Sequence, residues 1–509
     1  MKRKNKDGRP EVSTSKSDVH LKIKPERVDW KKLICMFVGV ALFFIVFCCP
    51  PFSDAIPPGE GAAPVKLSPK GQAALGLFFL AATWWVFEVV PIGVTSILIG
   101  VVQVLFLIRP AKAAFGDFMD PSVCFILGSI TIGMVFTKTG LTKRMAYKML
   151  SIVGERTSMI YLGCFVVTAL LTLIMAHTAV AATIYPLLMA IYALYSEDEK
   201  PSRFGKGLFI GMAFVAGAGS IITLLGAARG AVAISFYREI VGKEIMFFEL
   251  TKYMAPIGFL MVFLLWLYCM VIFKPEKKTI PGLRQRAKTL YKSLGPITRS
   301  EIIAVAIVLA VILTMSLRSF VDENIQQYMH KSAIILLGTV LFFAFKILTV
   351  KELEDIPWNI ILLFGGAMSI GFCLWQTGAA EWMAIKWLVL FADAHWFVFV
   401  MGISFFVLIM TNLIMNVAAI AIVLPVALRM SQMLGIAPEI IIFSALVCAG
   451  MPFLLLVGAA PNAIAYESKQ FTSGQFFLAG IPASILLIIV LAFFVWIVWP
   501  LMGMPVLIK

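Results

Sequence analysis

Long apolar runs separated by short polar stretches organise the chain. Leu33 to Cys49, Ile92 to Ile108, Ile302 to Leu317 and Ile481 to Leu501 contain no charged residue. A helix needs roughly 20 apolar residues to cross about 30 Å of hydrocarbon, and these runs approach or reach that length. The pattern predicts spans near 33–49, 72–87, 91–108, 118–137, 207–225, 253–273, 301–317, 332–349, 358–375, 440–457 and 476–500. Two stretches do not fit a simple span. Tyr161 to Tyr195 and Trp396 to Leu434 are nearly continuously apolar, too long for one crossing and too short for two with a loop. Each is expected to be a re-entrant hairpin. Non-helical backbone at membrane depth is tolerated only where it is buried in protein or lines a wet cavity, so two facing tips imply a site.

Composition agrees with a membrane class. The chain is 61% hydrophobic and 14% charged, with 43 Lys+Arg against 28 Asp+Glu and a net charge of +15. A soluble chain of this length would form about three or four domains and carry far more surface charge. All eight cysteines lie in apolar runs, where they act as small apolar residues without disulfide or zinc spacing.

The charge has an address. Residues 1–32 hold eleven Lys/Arg and five acids, Lys138 to Arg156 holds five basic residues, and Lys274 to Arg299 holds eight. The first apolar run ends at Cys48, Cys49, Pro50 and Pro51 rather than at a small-residue cleavage site, so it reads as a retained span. By the positive-inside rule all three basic stretches face the cytoplasm, which leaves the C-terminus outside and gives no reason to invoke nucleic acid. Arg156 on one flank and Lys200, Arg203 and Lys206 on the other bring the first hairpin in from the cytoplasm, and the second enters from the opposite side. The expected organisation is a basic tail (1–32), scaffold helices (33–158), a transport part with hairpin and broken helix (159–273), a cytoplasmic linker (274–300), then a second scaffold (301–395) and transport part (396–509).

The two halves repeat. Phe125 to Gly140 reads FILGSITIGMVFTKTG and Leu363 to Gly378 reads LFGGAMSIGFCLWQTG, aligning Gly128 with Gly366 and Gly140 with Gly378 at an offset of 238. Thr172, His177, Thr178 and Pro186 match Thr411, Asn416, Val417 and Pro425 at 239, and GAARGAVAI from Gly226 matches GAAPNAIAY from Gly458. The charge-derived topology runs the first copy inward and the second outward, so the repeats are inverted. Secondary transporters with inverted repeats place substrate near the midplane, between broken helices whose exposed N–H groups attract anions.

With these segments the chain resembles the divalent anion/sodium symporter family of di- and tricarboxylate and sulfate carriers. Trp84, Trp85, Glu88 and Pro91 resemble its WWxxExxP opening, and Lys138, Thr139, Gly140, Leu141 and Arg144 its KTGLxxR element. Pro357 and Trp358 before LLFGG resemble the second-half counterpart. The resemblance implies an all-α polytopic membrane protein of about eleven transmembrane helices plus two re-entrant hairpins in two inverted repeats. It also implies an elevator motion and a homodimer in a bacterial inner membrane. The family's Ser-Asn-Thr tips and TPPN-like loops are altered here: the tips read Ala176-His177-Thr178 and Met415-Asn416-Val417, the loops Ala227-Ala228-Arg229-Gly230 and Ala459-Ala460-Pro461-Asn462.

By this resemblance the substrate-binding residues are His177, Thr178, Gly226, Arg229, Asn416, Val417, Ala459, Pro461 and Asn462. A sodium site is expected at Thr411, Asn416 and Ala459, and a degraded one at Thr172, His177 and Gly226. Two unit charges about 4 Å apart repel by several kcal/mol at an effective dielectric near 20, so Arg229 weakens or abolishes the first sodium site. Its guanidinium can supply that positive charge itself and grip a carboxylate or sulfate in a bidentate fork, or else cap helix carbonyls. An arginine at mid-span costs roughly 2.5–3.5 kcal/mol on insertion scales and is a functional hypothesis by default. His177 is a candidate proton carrier or a neutral hydrogen-bonding group.

The expected function is secondary transport of small divalent anions, di- or tricarboxylates foremost, with sulfate or sulfonates as the alternative. Coupling is to sodium, to protons or to counter-substrate, with no resident cofactor beyond a candidate sodium ion. Cation/proton antiport needs a buried carboxylate, and the hairpins and the two breaks hold no Asp or Glu. Arsenite efflux has no specific feature in its favour. An enzyme would need a nucleophile with a base, paired acids or a metal cluster, yet only four histidines exist and no nucleotide-binding GxxxxGK[ST] loop occurs. Paired hairpins suit an occluding site better than an open channel.

Overall fold

The computed structural model describes residues 30–56, 64–196, 201–388 and 394–508, so the basic tail (1–32) lies almost wholly outside the described residues. Each expected span has a helical counterpart: Trp30–Cys48, Pro69–Val86, Ile92–Leu105, Pro121–Thr139, Arg203–Ser220, Phe247–Ile272, Arg299–Leu317, Lys331–Ala344, Trp358–Gln376, Pro438–Gly450 and Ser473–Phe493. Both over-long stretches divide. The first hairpin is Thr157–Thr172 with His177–Tyr195, and the second is Trp396–Leu413 with Asn416–Met433. Ten of the described helices, hairpin arms included, are long and apolar enough to cross a membrane. The molecule is an all-α integral membrane protein.

The repeat governs packing. Helix Ile92–Leu105 of the first half lies on Trp358–Gln376 of the second, and Lys331–Ala344 of the second lies on Pro121–Thr139 of the first. The aligned glycines sit at these two crossings. A Cβ at Gly128 would stand 2.8 Å from Ile335, and one at Gly366 would stand 2.7 Å from Cα of Ser96. Ser96 and Ile335 are themselves 239 positions apart. The matched sequence therefore marks one reciprocal close approach, made twice.

The hairpins are held in the same reciprocal way. Each half contains a helix interrupted at mid-course: Arg203–Ser220 resumes as Ala228–Val241, and Pro438–Gly450 resumes as Ala460–Tyr466. The resumed helix of the first half packs against the second arm of the second hairpin, and Ala460–Tyr466 packs against His177–Tyr195. Each hairpin thus packs on the broken helix of the other half. Helices Phe247–Ile272 and Ser473–Phe493 follow the breaks and present exposed Phe259, Phe263, Leu478, Ile485 and Ile489, the apolar outer face that lipid requires.

Two basic stretches that read as connecting segments are folded against each other. Leu141–Val153 is a helix burying Leu141, Ala146 and Leu150, and the linker helix Leu283–Ser293 packs on it. Arg144 fixes the junction, with Nε donating to Glu301 Oε1 at 2.9 Å and Nη1 donating to the Gly295 carbonyl at 3.0 Å. Glu301 also accepts from the Thr298 N–H at 2.6 Å as half of a capping box. A fork of this kind is stronger than a neutral hydrogen bond.

Candidate functional site

Each hairpin tip is tied to the break in its own half. At the first tip the His177 N–H donates to the Gly226 carbonyl at 3.0 Å, and Thr223 Oγ1 donates to the Leu173 carbonyl at 2.7 Å. A Cβ at Gly226 would lie 2.5 Å from the Thr172 carbonyl oxygen, and one at Gly458 would lie 3.0 Å from that of Thr411. The glycine opening each GAA triplet is thus required by the carbonyl of the matched threonine. Ala227 and Ala459 follow with the same extended backbone, φ −161° and −152°, and each caps the helix that resumes.

The second tip gathers oxygen atoms. Thr411 Oγ1 donates to Asn416 Oδ1 at 3.0 Å and lies 3.3 Å from the Ala449 carbonyl. All belong to buried residues. Asn462 Nδ2 donates to the carbonyls of Pro452 (2.8 Å) and Leu455 (3.1 Å), while the Asn462 N–H donates to the Ala459 carbonyl at 3.0 Å. Hydroxyl, carboxamide and carbonyl oxygens with no basic side chain among these contacts form a donor set for a hard cation. Among the described residues no group of His, Cys, Asp and Glu could hold a transition metal.

Asn412 escaped the sequence reading, although it stands beside Thr411. Its Oδ1 accepts from the N–H groups of Leu454 (2.8 Å) and Leu455 (3.2 Å), the irregular backbone of the second break. Stranding a buried donor costs roughly 1–3 kcal/mol. Asn412→Leu is therefore expected to lower the unfolding free energy in mixed micelles by about 2–4 kcal/mol, the sum for two such donors partly relieved by relaxation. A change under about 0.5 kcal/mol would mean that the loop finds other acceptors.

A cavity of about 570 Å³ lies between the first tip and helices Pro121–Thr139 and Trp358–Gln376. His177, Thr178, Ala227 and Ala228 form its inner end, and Lys138, Glu352 and Asp355 lie on its border. Lys138 pairs with Glu352. Hydrogen bonds from Lys138 and Thr349 hold the Glu352 carboxyl down at about 2. The cavity thus contains two of the expected substrate residues, His177 and Thr178, with Gly226 directly beneath the tip. Thr411, Asn416, Val417, Ala459, Pro461 and Asn462 assemble with one another at the second tip and do not line it. Ser129, whose Oγ donates to the Leu225 carbonyl at 3.0 Å, is a further lining residue within the quoted FILGSITIG segment.

Arg229 has a different position from the fork toward the cavity that its residue type suggested. It is 2% exposed, and Nη2 donates to Ser220 Oγ at 2.7 Å. A Cβ at Gly450 would stand 2.8 Å from the same Nη2. Ser220 and Gly450 are the last helical residues before the two breaks, so the guanidinium sits between the C-terminal ends of two helices. Each such end carries about half a negative charge and contributes up to about 2 kcal/mol to a partly buried cation. Two of them roughly offset the insertion cost of an arginine at mid-span. Ala227 lines both the cavity and the small space around Arg229, so a single residue separates the charge from the cavity.

Two repeats that pack hairpins and broken helices against each other, with a cavity at the first tip, have the architecture of a secondary membrane transporter. Its chemistry lies in moving a solute rather than in turning one over. The chain belongs to the sodium:sulfate symporter family, whose transmembrane region matches residues 31–505. It is similar to the sodium-dependent dicarboxylate transporter SdcS of Staphylococcus saprophyticus, at 25% identity over 468 residues, 87% of this chain and 89% of that one. It is also similar to SdcS of Staphylococcus aureus strain MSSA476, at 24% identity over 457 residues, 86% and 88% of the two chains. Among solved structures it shares its fold with MtrF of Neisseria gonorrhoeae (TM-score 0.59, 12% identity, 93% of this chain and 96% of that one). It also shares it with the YdaH transporter of Alcanivorax borkumensis (TM-score 0.51, 14% identity, 94% and 98%).

Proposed function

We propose that the chain carries small divalent anions, di- or tricarboxylates foremost and sulfate as the second reading, across a bacterial plasma membrane. The observation that carries this is the placement of Arg229. It brings a fixed positive charge to the C-terminal helix ends beside the first tip, in a family whose curated relatives are sodium-dependent dicarboxylate transporters. Broken-helix C-terminal ends are where secondary transporters hold a coupling cation. Here a guanidinium stands against both such ends, beside Ser220 and Gly450, and the oxygens of Thr411, Asn416 and the carbonyls near Ala459 are left for at most one sodium ion.

At the inner end of the cavity the helices beginning at His177 and Ala228 both start. Amides in a first helical turn have no partner within the helix and attract anions. His177 and Thr178 add side-chain groups to that end, and Asn416, Val417, Pro461 and Asn462 supply its counterpart when the two tips close on substrate. The hairpins and broken helices move as the transport part against the remaining helices in an elevator motion, within a homodimer whose N-termini are cytoplasmic. In that orientation Lys138 and Glu352 border a cytoplasmic mouth.

The test is uptake of labelled succinate and of labelled sulfate into liposomes holding the purified protein, with and without a sodium gradient or internal counter-substrate. Saturable uptake of a dianion is expected. Absence of uptake for every dianion under all these conditions would overturn the reading.

A further inference from the structure

Resting on the anion-carrier reading, we propose that the preferred substrate is a dicarboxylate bearing an apolar body, such as an aryl or bulky alkyl group, rather than a bare four-carbon dianion. The cavity at the first hairpin tip has two unlike sides. Its polar end belongs to the tip and the first break, with His177, Thr178 and the starts of two helices. The facing wall comes from helices Pro121–Thr139 and Trp358–Gln376 and consists chiefly of Phe125, Ile126, Ile130, Met134, Ile360 and Phe364.

The hydroxyls of Ser129 and Thr137 on that wall, and of Thr183 on the hairpin arm beside it, have little to offer an anion. Ser129 Oγ donates to the Leu225 carbonyl, Thr137 Oγ1 to the Gly133 carbonyl at 3.0 Å, and Thr183 Oγ1 to the Ala179 carbonyl at 2.8 Å. Their protons are already committed to backbone. Lys138, the one lysine or arginine lining the cavity, is paired with Glu352, and Asp355 adds a second carboxylate at that border. The border is therefore net negative, and nothing along the wall rewards a small hydrated dianion.

Size points the same way. A volume of about 570 Å³ falls among sites of roughly 300–1,000 Å³ that hold drug-sized molecules, several times what a four-carbon dianion fills. A ligand whose carboxylates meet the tip and whose hydrocarbon covers the wall would satisfy both sides. Binding would then draw on removal of apolar surface from water, which is insensitive to the border charge.

The experiment compares the affinities of succinate and 2-benzylsuccinate for the purified full-length protein by titration calorimetry. Benzylsuccinate is expected to bind at least tenfold more tightly, a difference of about 1.4 kcal/mol. Ile130→Asn and Phe364→Ser, each checked for an unchanged melting temperature, are expected to narrow that ratio to less than threefold. If succinate binds as tightly as benzylsuccinate or more so, the apolar wall is only a surface on which the hairpin slides, and the inference fails while the anion-carrier reading stands. If the ratio survives both substitutions, the wall does not hold the ring and the inference also fails. If neither anion binds, this inference fails, and uptake of labelled sulfate decides whether the anion-carrier reading falls with it.

Discussion

Arg229→Gln is expected to weaken dianion binding ten- to a hundredfold while leaving the fold as stable as the wild type or more so. Both signs follow from where the guanidinium sits. Among the described residues it has no carboxylate partner, its Nη1 makes no hydrogen bond, and its stabilisation comes from Ser220 and two helix ends. A neutral carboxamide removes a buried charge whose desolvation those ends only roughly offset, so stability does not fall. Function does. Over a separation on the order of 10 Å at an effective dielectric near 20, a guanidinium and a dianion attract by roughly 3 kcal/mol. Losing half to all of that is a tenfold to hundredfold loss of affinity. Titration calorimetry with a dianion, run beside thermal unfolding of the same preparations, separates the roles. A residue that merely capped helix carbonyls would lower the melting temperature and leave affinity alone.

The second large effect is on stability and lies far from the tips. Glu244, in the turn after the first broken helix, accepts from Arg318 Nη2 at 2.8 Å and stands 3.2 Å from Lys331 Nζ in an ion pair rather than a hydrogen bond. Arg318 and Lys331 flank the first connection of the second half, so one carboxylate binds the halves together. Lys331 is 5% exposed and Arg318 8%. Glu244→Ala would leave two buried cations facing each other, and removing one partner of a buried pair costs roughly 3–5 kcal/mol. Guanidinium or mixed-micelle unfolding should show a loss of that size, and a loss below about 1 kcal/mol would mean that water replaces the carboxylate. Burial raises the Glu244 carboxyl, but Arg318 and Lys331 outweigh burial and bring it from 4.5 to about 2. Because the folded value is the lower one, this contribution is complete above pH 4.5 and is lost as the pH falls toward 2.

Much of the fold was legible because bilayer thickness sets a length, and length is visible in a sequence. The first hairpin was found as a stretch wrong for either one span or two, with basic residues on both flanks. The repeat was legible because its crossings demand small residues: Gly128 and Gly366, Gly226 and Gly458 each face a neighbour that leaves no room for a Cβ. The break itself begins earlier than the motif, at Ile221 rather than Gly226, because the helix ends where Ser220 Oγ donates to the Gly217 carbonyl and accepts from Arg229. Other features depend on partners far apart in the chain. Arg144 looked like a topology signal but meets Glu301 across 157 positions. Asn412 offered no signal beyond its neighbour. The direction of Arg229, and the apolar wall opposite His177, arise only once both halves are assembled.

The central claim is that a guanidinium fills one cation position and leaves at most one for sodium. The sodium dependence of initial dianion uptake into liposomes, measured at fixed ionic strength, tests it most directly. A Hill coefficient no greater than one is expected, falling to no dependence if the protein works as an exchanger. A coefficient of about two or more would contradict the account, because it would require a second sodium ion where Arg229 stands.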